Sequence, residues 1–150
     1  MAIQSSATGG QNVWFDVRPR APATGIRGVI LSGGANARVP ACASGNPAHG
    51  GYVVQIEVQA LYNGTWTAIG WVKYAHVDNI NVNNGAVISN AYRFATVSWS
   101  YNGVCSTGPH VHMEPYNYRH YACYTNRSPF AYYDTLAQVG GGRLSLQRCP

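Results

Sequence analysis

The sequence predicts an all-β protein, and three observations lead to that fold class. Aromatic residues, which fit the pleated surface of a sheet, are frequent: there are 11 tyrosines and 4 tryptophans among 150 residues. The 17 glycines and the many asparagines suit the turns that join strands. Apolar and polar residues alternate between positions 52 and 61, as in a half-buried strand. We therefore expect one antiparallel β domain over residues 1–150.

The strongest local prediction is a β-hairpin. In its first strand, over residues 52–61, one face carries Val54, Ile56, Val58 and Ala60. The pair Asn63-Gly64 favours a tight turn into a second strand over residues 65–76. The alternation of that second strand places His76 on one face with Val72 and Tyr74. Taken alone, His76 is therefore predicted to be a core histidine bonded to backbone.

The remaining elements follow from shorter patterns. Strands are predicted at residues 13–17, before an Arg-Pro-Arg-Ala-Pro break, at residues 25–32, which read as buried, and at residues 94–100. A long loop at residues 33–51 holds Cys42 and the turn histidine His49, and Asn102-Gly103 marks another turn. We place the core at about residues 12–116, and a tyrosine-rich extension follows at about residues 117–150.

The amount and the distribution of positive charge indicate which partners to expect. The net charge of +5 favours polyanions in general, such as the acidic polymers of a bacterial wall. No run of Lys and Arg of the nucleic-acid-binding type occurs, so nucleic acid is not an expected partner. No apolar run reaches the length of a membrane span, and residues 1–6 lack the features of a signal peptide.

The four cysteines, at positions 42, 105, 123 and 149, predict an oxidising compartment. None forms a Cys-x-x-Cys pair, and an even number at wide spacing favours two disulfides over a zinc or redox motif. Three pairings are possible, of which we favour Cys42–Cys105 and Cys123–Cys149. The first would tie the long loop to the segment that precedes residue 110. Four buried free thiols are the alternative.

The chemistry of the chain is concentrated in residues 106–115, Ser-Thr-Gly-Pro-His-Val-His-Met-Glu-Pro. In a strand, His110, His112 and Glu114 would project from one face while the apolar residues between them project from the other. Two imidazoles at this spacing bind a metal together, or one binds it while the other handles a proton. A surface histidine pair on an edge strand is the alternative.

This string resembles the signature of the lysostaphin-type and staphylolysin-type zinc endopeptidases, which cut peptide cross-links in bacterial cell walls. A second element, Trp-Val-Lys-Tyr-Ala-His-Val at residues 71–77 with the turn at residues 80–87, is similar to the family's Tyr-Ala-His-Leu strand and the turn after it. The order and separation of the two elements fit the family. The resemblance implies an antiparallel sheet that forms the floor of a groove.

The resemblance also implies roles for individual residues. His112 and Asp16 would be zinc ligands, and His76 and His110 would be catalytic. In the family, the first metal motif is a histidine that precedes the Asp ligand, commonly by four residues. That histidine is missing here, since no histidine precedes His49. Four residues before Asp16 lies Asn12, a weaker candidate ligand. From the residues alone, Asp16 is equally well interpreted as a turn-capping carboxylate before a proline.

The expected function is therefore that of a secreted or virion-associated zinc endopeptidase acting on the peptide cross-links of peptidoglycan, with anionic wall polymers as a further partner. The missing histidine supports an alternative, an inert peptidase-like protein that binds cell wall or glycan or takes part in an extracellular or virion assembly. A third interpretation is a metal-independent glycan-binding module that uses the tyrosine and tryptophan surface.

Overall fold

The computed structural model describes residues 3–6, 9–19, 21–117 and 122–125. These residues form ten strands, all paired antiparallel, which confirms the predicted all-β class. The strands are β1 (Ile3–Ser6), β2 (Asn12–Pro19), β3 (Gly25–Ser32), β4 (Val39–Pro40), β5 (Tyr52–Tyr62), β6 (Thr65–Asp78), β7 (Val87–Ser89), β8 (Tyr92–Val97), β9 (His110–Asn117) and β10 (Ala122–Thr125). A short 3-10 turn, Pro47–His49, lies in the long loop.

The sheet is organised around β6. Its main strand order is β10-β2-β8-β6-β5-β3-β7, while β9 pairs with both β6 and β1, and β4 pairs with β5. On one side, β6 follows β5 along almost its whole length. On the other side, it pairs with β9 from Gly70 to Ala75 and then with β8 from Val77 to Asp78. The neighbour of β6 therefore changes at His76.

The predicted hairpin is confirmed as β5 and β6. Asn63 and Gly64 have φ values of 50° and 72°, the left-handed conformation that a two-residue turn of this kind requires. The register runs outward from the pair Tyr62 and Thr65. The four apolar residues of the alternating face of β5 are completely buried, as that alternation predicts.

The sheet curls around a single core. Gly28 of β3 shows how closely the layers approach, because a Cβ atom on it would lie 2.7 Å from Ile56 Cγ2 and 3.1 Å from Phe15 Cε1. Phe15 belongs to β2, which is not hydrogen-bonded to β3, so the curl brings the two strands together. Tyr74 and Phe94 pack edge to face in the same core, with ring centroids 4.9 Å apart.

Several predicted boundaries differ from the structure. The first strand was predicted to end at residue 17, before the Arg-Pro-Arg-Ala-Pro segment at residues 18–22, but β2 continues to Pro19. Asp16 lies inside that strand, so its interpretation as a turn cap is wrong. The strand β3 alternates between buried and half-buried residues, where a fully buried strand was predicted. The strand predicted at residues 94–100 is Tyr92–Val97, and the long loop contains β4.

Of the two predicted disulfides, Cys42–Cys105 is confirmed, with Cα atoms 5.7 Å apart. It joins the long loop at residues 33–51 to the loop at residues 98–109, which precedes β9. The pairing Cys123–Cys149 and most of the tyrosine-rich extension lie outside the described residues. Within the described part of the chain, no helix has the length and apolar character needed to cross a membrane.

Candidate functional site

The strand β9 carries the histidines as the sequence predicts. Val111 and Met113 are buried in the core, at 2% and 3% exposure. His110, His112 and Glu114 alternate with them on the opposite face and are half-buried. The alternation of a strand thus separates the packing residues of β9 from its polar residues.

His76 reaches the same face through a β-bulge. Tyr52 of β5 is opposite Val77, and Val53 is opposite Ala75, so His76 is the extra residue of β6. Its φ of +67° lies in the left-handed region that residues other than glycine rarely adopt. The prediction that His76 shares the core face with Val72 and Tyr74 is wrong, because the bulge reverses the alternation at this residue.

The imidazoles of His76 and His110 are neighbours, with ring centroids 4.6 Å apart. His76 Nδ1 donates to the carbonyl oxygen of Gly50 at 2.8 Å, and His110 Nδ1 donates to that of Gly108 at 2.8 Å. A ring nitrogen bonded to a carbonyl oxygen must carry the proton, so each neutral ring has its lone pair on Nε2. Both rings therefore offer a proton acceptor.

Burial lowers the pKa of His76 below its ordinary value of 6.5, because the charged imidazole is poorly solvated there. The hydrogen bond to the Gly50 carbonyl acts in the opposite direction, and the nearby charges of His110 and His112 lower the pKa further. His76 is consequently neutral near pH 7 and acts there as an acceptor through Nε2.

The third histidine is oriented by a carboxylate. His112 Nε2 lies 2.9 Å from Glu114 Oε1, and Lys73 Nζ lies 3.9 Å from Glu114 Oε2. With Nε2 as the donor, the neutral ring of His112 has its lone pair on Nδ1. A carboxylate that orients an imidazole in this way is the usual support of a metal-binding histidine.

The three histidines line one open cleft of about 700 Å³. Residues 40–43 and residues 104–107 line it from two loops, which the Cys42–Cys105 disulfide joins. Strands β5, β6 and β9 supply the floor through Val53, Lys73, Ala75 and His112. His76 and His110 complete the lining. His49, by contrast, bonds to Ser44 and Asn46 within its own loop and does not line the cleft.

Asn12 and Asp16 do not line this cleft. Asn12 is opposite Thr96 of β8, and its Oδ1 accepts from Arg93 Nη1 at 3.1 Å. Asp16 is buried at 7% exposure, opposite Thr125 of β10. Among the described residues, no group of three or more His, Cys, Asp or Glu side chains is arranged to hold a metal ion. Of the three proposed zinc ligands, His112 lines the cleft and Asn12 and Asp16 do not.

Sequence reasoning missed the groups that hold the catalytic candidates. Gly50 supplies the carbonyl that fixes His76, and a Cβ atom on it would lie only 2.9 Å from His76 Nδ1. Ser106 is buried, and its hydroxyl donates to the Gly108 carbonyl at 2.9 Å. The Gly-Gly pair after His49 was the available signal for the first contact, because adjacent glycines permit close approach of the backbone.

Comparison of the chain with protein-family models, with curated proteins and with solved structures found no match.

Proposed function

We propose that this protein hydrolyses the peptide cross-links of bacterial peptidoglycan, with His76 and His110 as its proton-transfer pair. The observation that carries the proposal is the pair itself: two neighbouring imidazoles, each with Nδ1–H bonded to a backbone carbonyl and each with an Nε2 acceptor, in an open cleft. Positioned imidazoles of this kind are the commonest general bases and acids in enzymes.

The proposed reaction follows from the tautomers. One Nε2 takes a proton from the attacking water, whose oxygen forms a bond to the scissile carbonyl carbon. The protonated ring then has an N–H at Nε2, which donates to the tetrahedral oxyanion. As the C–N bond breaks, this proton passes to the leaving amine, and the ring is neutral again. Because only one proton is taken from the water, His76 can stabilise the oxyanion in this scheme only if it is the ring that has accepted that proton.

Zinc enters the proposal through His112. When bound, the ion would act as a Lewis acid and lower the pKa of a coordinated water. His112, oriented by Glu114, is the ligand that the described geometry supports. We derive no step through the metal, because Asn12 and Asp16, the other proposed ligands, do not line the cleft.

The first test is release of soluble peptide and new amino groups from purified peptidoglycan. We expect His110→Ala to lower the rate by about 10²-fold or more, the usual contribution of a general base. His49→Ala is the matched control, since that histidine lies outside the cleft and bonds within its own loop. Equal rates for wild type and His110→Ala would contradict the proposal.

The second test is the zinc content of the purified protein. We expect about one zinc per chain, lost in His112→Ala and retained in His49→Ala. Unaltered zinc in His112→Ala would remove His112 from the ligand set.

One observation favours a second candidate function, an inert peptidase-like protein that binds cell wall or glycan. The proposed ligands Asn12 and Asp16 are held elsewhere in the sheet, as a site that has lost its metal would allow. Wild-type protein that sediments with peptidoglycan, retains no zinc and releases no amino groups would favour this function over hydrolysis.

A further inference from the structure

The Cys42–Cys105 disulfide connects the two carbonyl groups that fix the histidine pair. Gly50, the acceptor for His76, lies in the loop that contains Cys42. Gly108, the acceptor for His110, lies in the loop that contains Cys105. The disulfide is the one covalent crosslink that the described residues place between these loops. The hydrogen bonds of His76 and His110 to these carbonyls therefore depend on the relative position of two loops, which the disulfide fixes.

The path from Cys42 to Gly50 is short and hydrogen-bonded. Ala41 N–H donates to the Gly51 carbonyl at 2.9 Å, which closes the base of the loop next to both residues. Inside it, Gly51 N–H donates to the Pro47 carbonyl at 2.8 Å. Ala41 is the neighbour of Cys42, and Gly51 is the neighbour of Gly50. A displacement of Cys42 would therefore also displace the Gly50 carbonyl, because the hydrogen bond between Ala41 and Gly51 connects the two segments.

The path from Cys105 to Gly108 is equally direct. Asn102 Oδ1 accepts from Cys105 N–H at 2.9 Å, and Gly103 N–H donates to the Ser106 carbonyl at 2.8 Å. The hydroxyl of Ser106, which is 3% exposed, donates to the Gly108 carbonyl at 2.9 Å. That oxygen also accepts from His110, and Ser106 Oγ itself lies 3.5 Å from His110 Nδ1, so Ser106 contacts both the imidazole and the acceptor of its proton.

We infer that the Cys42–Cys105 disulfide is a positioning element for His76 and His110: by fixing the Gly50 and Gly108 carbonyls, it holds both rings in the Nδ1–H tautomer and keeps both Nε2 lone pairs toward the cleft. Cys42 and Cys105 are thus positioning residues that act through the carbonyls, and Ser106 is one that acts through the Gly108 carbonyl and through its own contact with His110. The tautomers do not depend on hydrolysis, whereas any effect on its rate rests on the proposed function.

The test is the tautomer of each histidine, read from imidazole ¹⁵N chemical shifts in metal-free protein, at a pH well above the ordinary histidine pKa of about 6.5. In wild type we expect His76 and His110 as Nδ1–H and His112 as Nε2–H. In Cys42→Ser/Cys105→Ser, His76 and His110 should become mixtures of tautomers while His112 is unchanged. Retention of Nδ1–H by both rings in the folded double variant would overturn the inference.

Ser106→Ala keeps the disulfide and tests one path even if the double variant does not fold. We expect mixed tautomers at His110 alone, with His76 as in wild type. Ser32→Ala, which removes a hydroxyl that donates to Gln55 Oε1 at 3.3 Å away from both paths, is the matched control and should leave both rings unchanged. A His110 signal in Ser106→Ala identical to that of wild type would overturn the inference.

Kinetics supply a separate readout. If wild type hydrolyses peptidoglycan peptides, Ser106→Ala should lower kcat by at least about tenfold and change KM much less, because the base is misaligned while the other residues that line the cleft are unaltered. An unchanged kcat would count against the positioning role. If wild type is inactive, the proposed function fails, and the ¹⁵N shifts still decide the inference.

Discussion

At the scale of single residues, His76 combines a strained backbone with a favourable side-chain environment. A φ of +67° costs a residue with a side chain about 1–2 kcal/mol relative to the usual region. The conformation persists because the Ser98 N–H donates to the His76 carbonyl and the Gly50 carbonyl accepts from its ring. Strain of this kind at a cleft is a common mark of a functional position.

The lowered pKa of His76 makes a prediction about stability. As the pH falls through 6.5, the unfolded chain takes up a proton at His76 before the folded chain does. The contribution of His76 to the free energy of unfolding is therefore complete above pH 6.5 and is lost between 6.5 and its lower folded pKa. In metal-free protein, His76→Gln should show a shallower fall in stability below pH 6.5. Urea titrations at several pH values test this, and identical slopes would contradict it.

Glu114 makes a prediction about metal affinity. Glu114→Gln removes the carboxylate that orients His112, so zinc affinity should fall by about 10- to 100-fold. Competition with a chelator measures the effect. Glu57→Gln is the control, because it makes the same change of charge on β5, where Glu57 accepts from Gln59. Equal affinity for the two variants would mean that Glu114 does not support a bound metal.

At the scale of elements, two glycines with positive φ lie in different surroundings: Gly64 in the turn between β5 and β6, and Gly51 at the end of the loop before β5. Gly64, with φ of +72°, has no atom within 4 Å of an added Cβ. Gly51, with φ of +69°, would place a Cβ 2.8 Å from the Val77 carbonyl oxygen. We expect Gly64→Ala to cost about 1 kcal/mol through strain alone, and Gly51→Ala to cost more. Urea unfolding compares them, and equal losses would show that the contact relaxes freely.

The sequence predicts the elements better than their register. The hairpin and the two faces of β9 follow from alternation and from the turn residues Asn63-Gly64, which are local signals. The bulge at His76 does not, because it arises where β6 exchanges β9 for β8 as its neighbour. That exchange depends on segments distant along the chain, and no local pattern around His76 reports it.

At the scale of the whole molecule, the disulfide closes a long segment of chain. The residues it joins are 63 positions apart, and a loop of that length restricts the unfolded chain by about 4 kcal/mol. Cys42→Ser/Cys105→Ser should therefore lower the melting temperature, as measured by calorimetry under oxidising conditions. An unchanged melting temperature would mean that the crosslink does not form in solution.

The candidate site was predictable in part. The sequence pattern and the resemblance single out His76, His110 and His112, and the fold brings these three residues to one cleft. It does not bring Asn12 and Asp16 there, since β2 pairs with β8 and β10. Spacing along the chain identified them as ligand candidates, but the pairing partners of β2 decide where they lie. The proposed family and activity remain predictions.

The pairing of β1 with β9 has a consequence for the behaviour of the protein in concentrated solution. Ile3–Ser6 covers the outer edge of the segment from His110 to Met113, where β9 would otherwise end the sheet. An uncovered edge presents unpaired N–H and C=O groups to any other extended chain, which is how sheets associate and aggregate. Without Ile3–Ser6, β9 would therefore become an exposed edge strand, and we expect the protein to associate through it at high concentration.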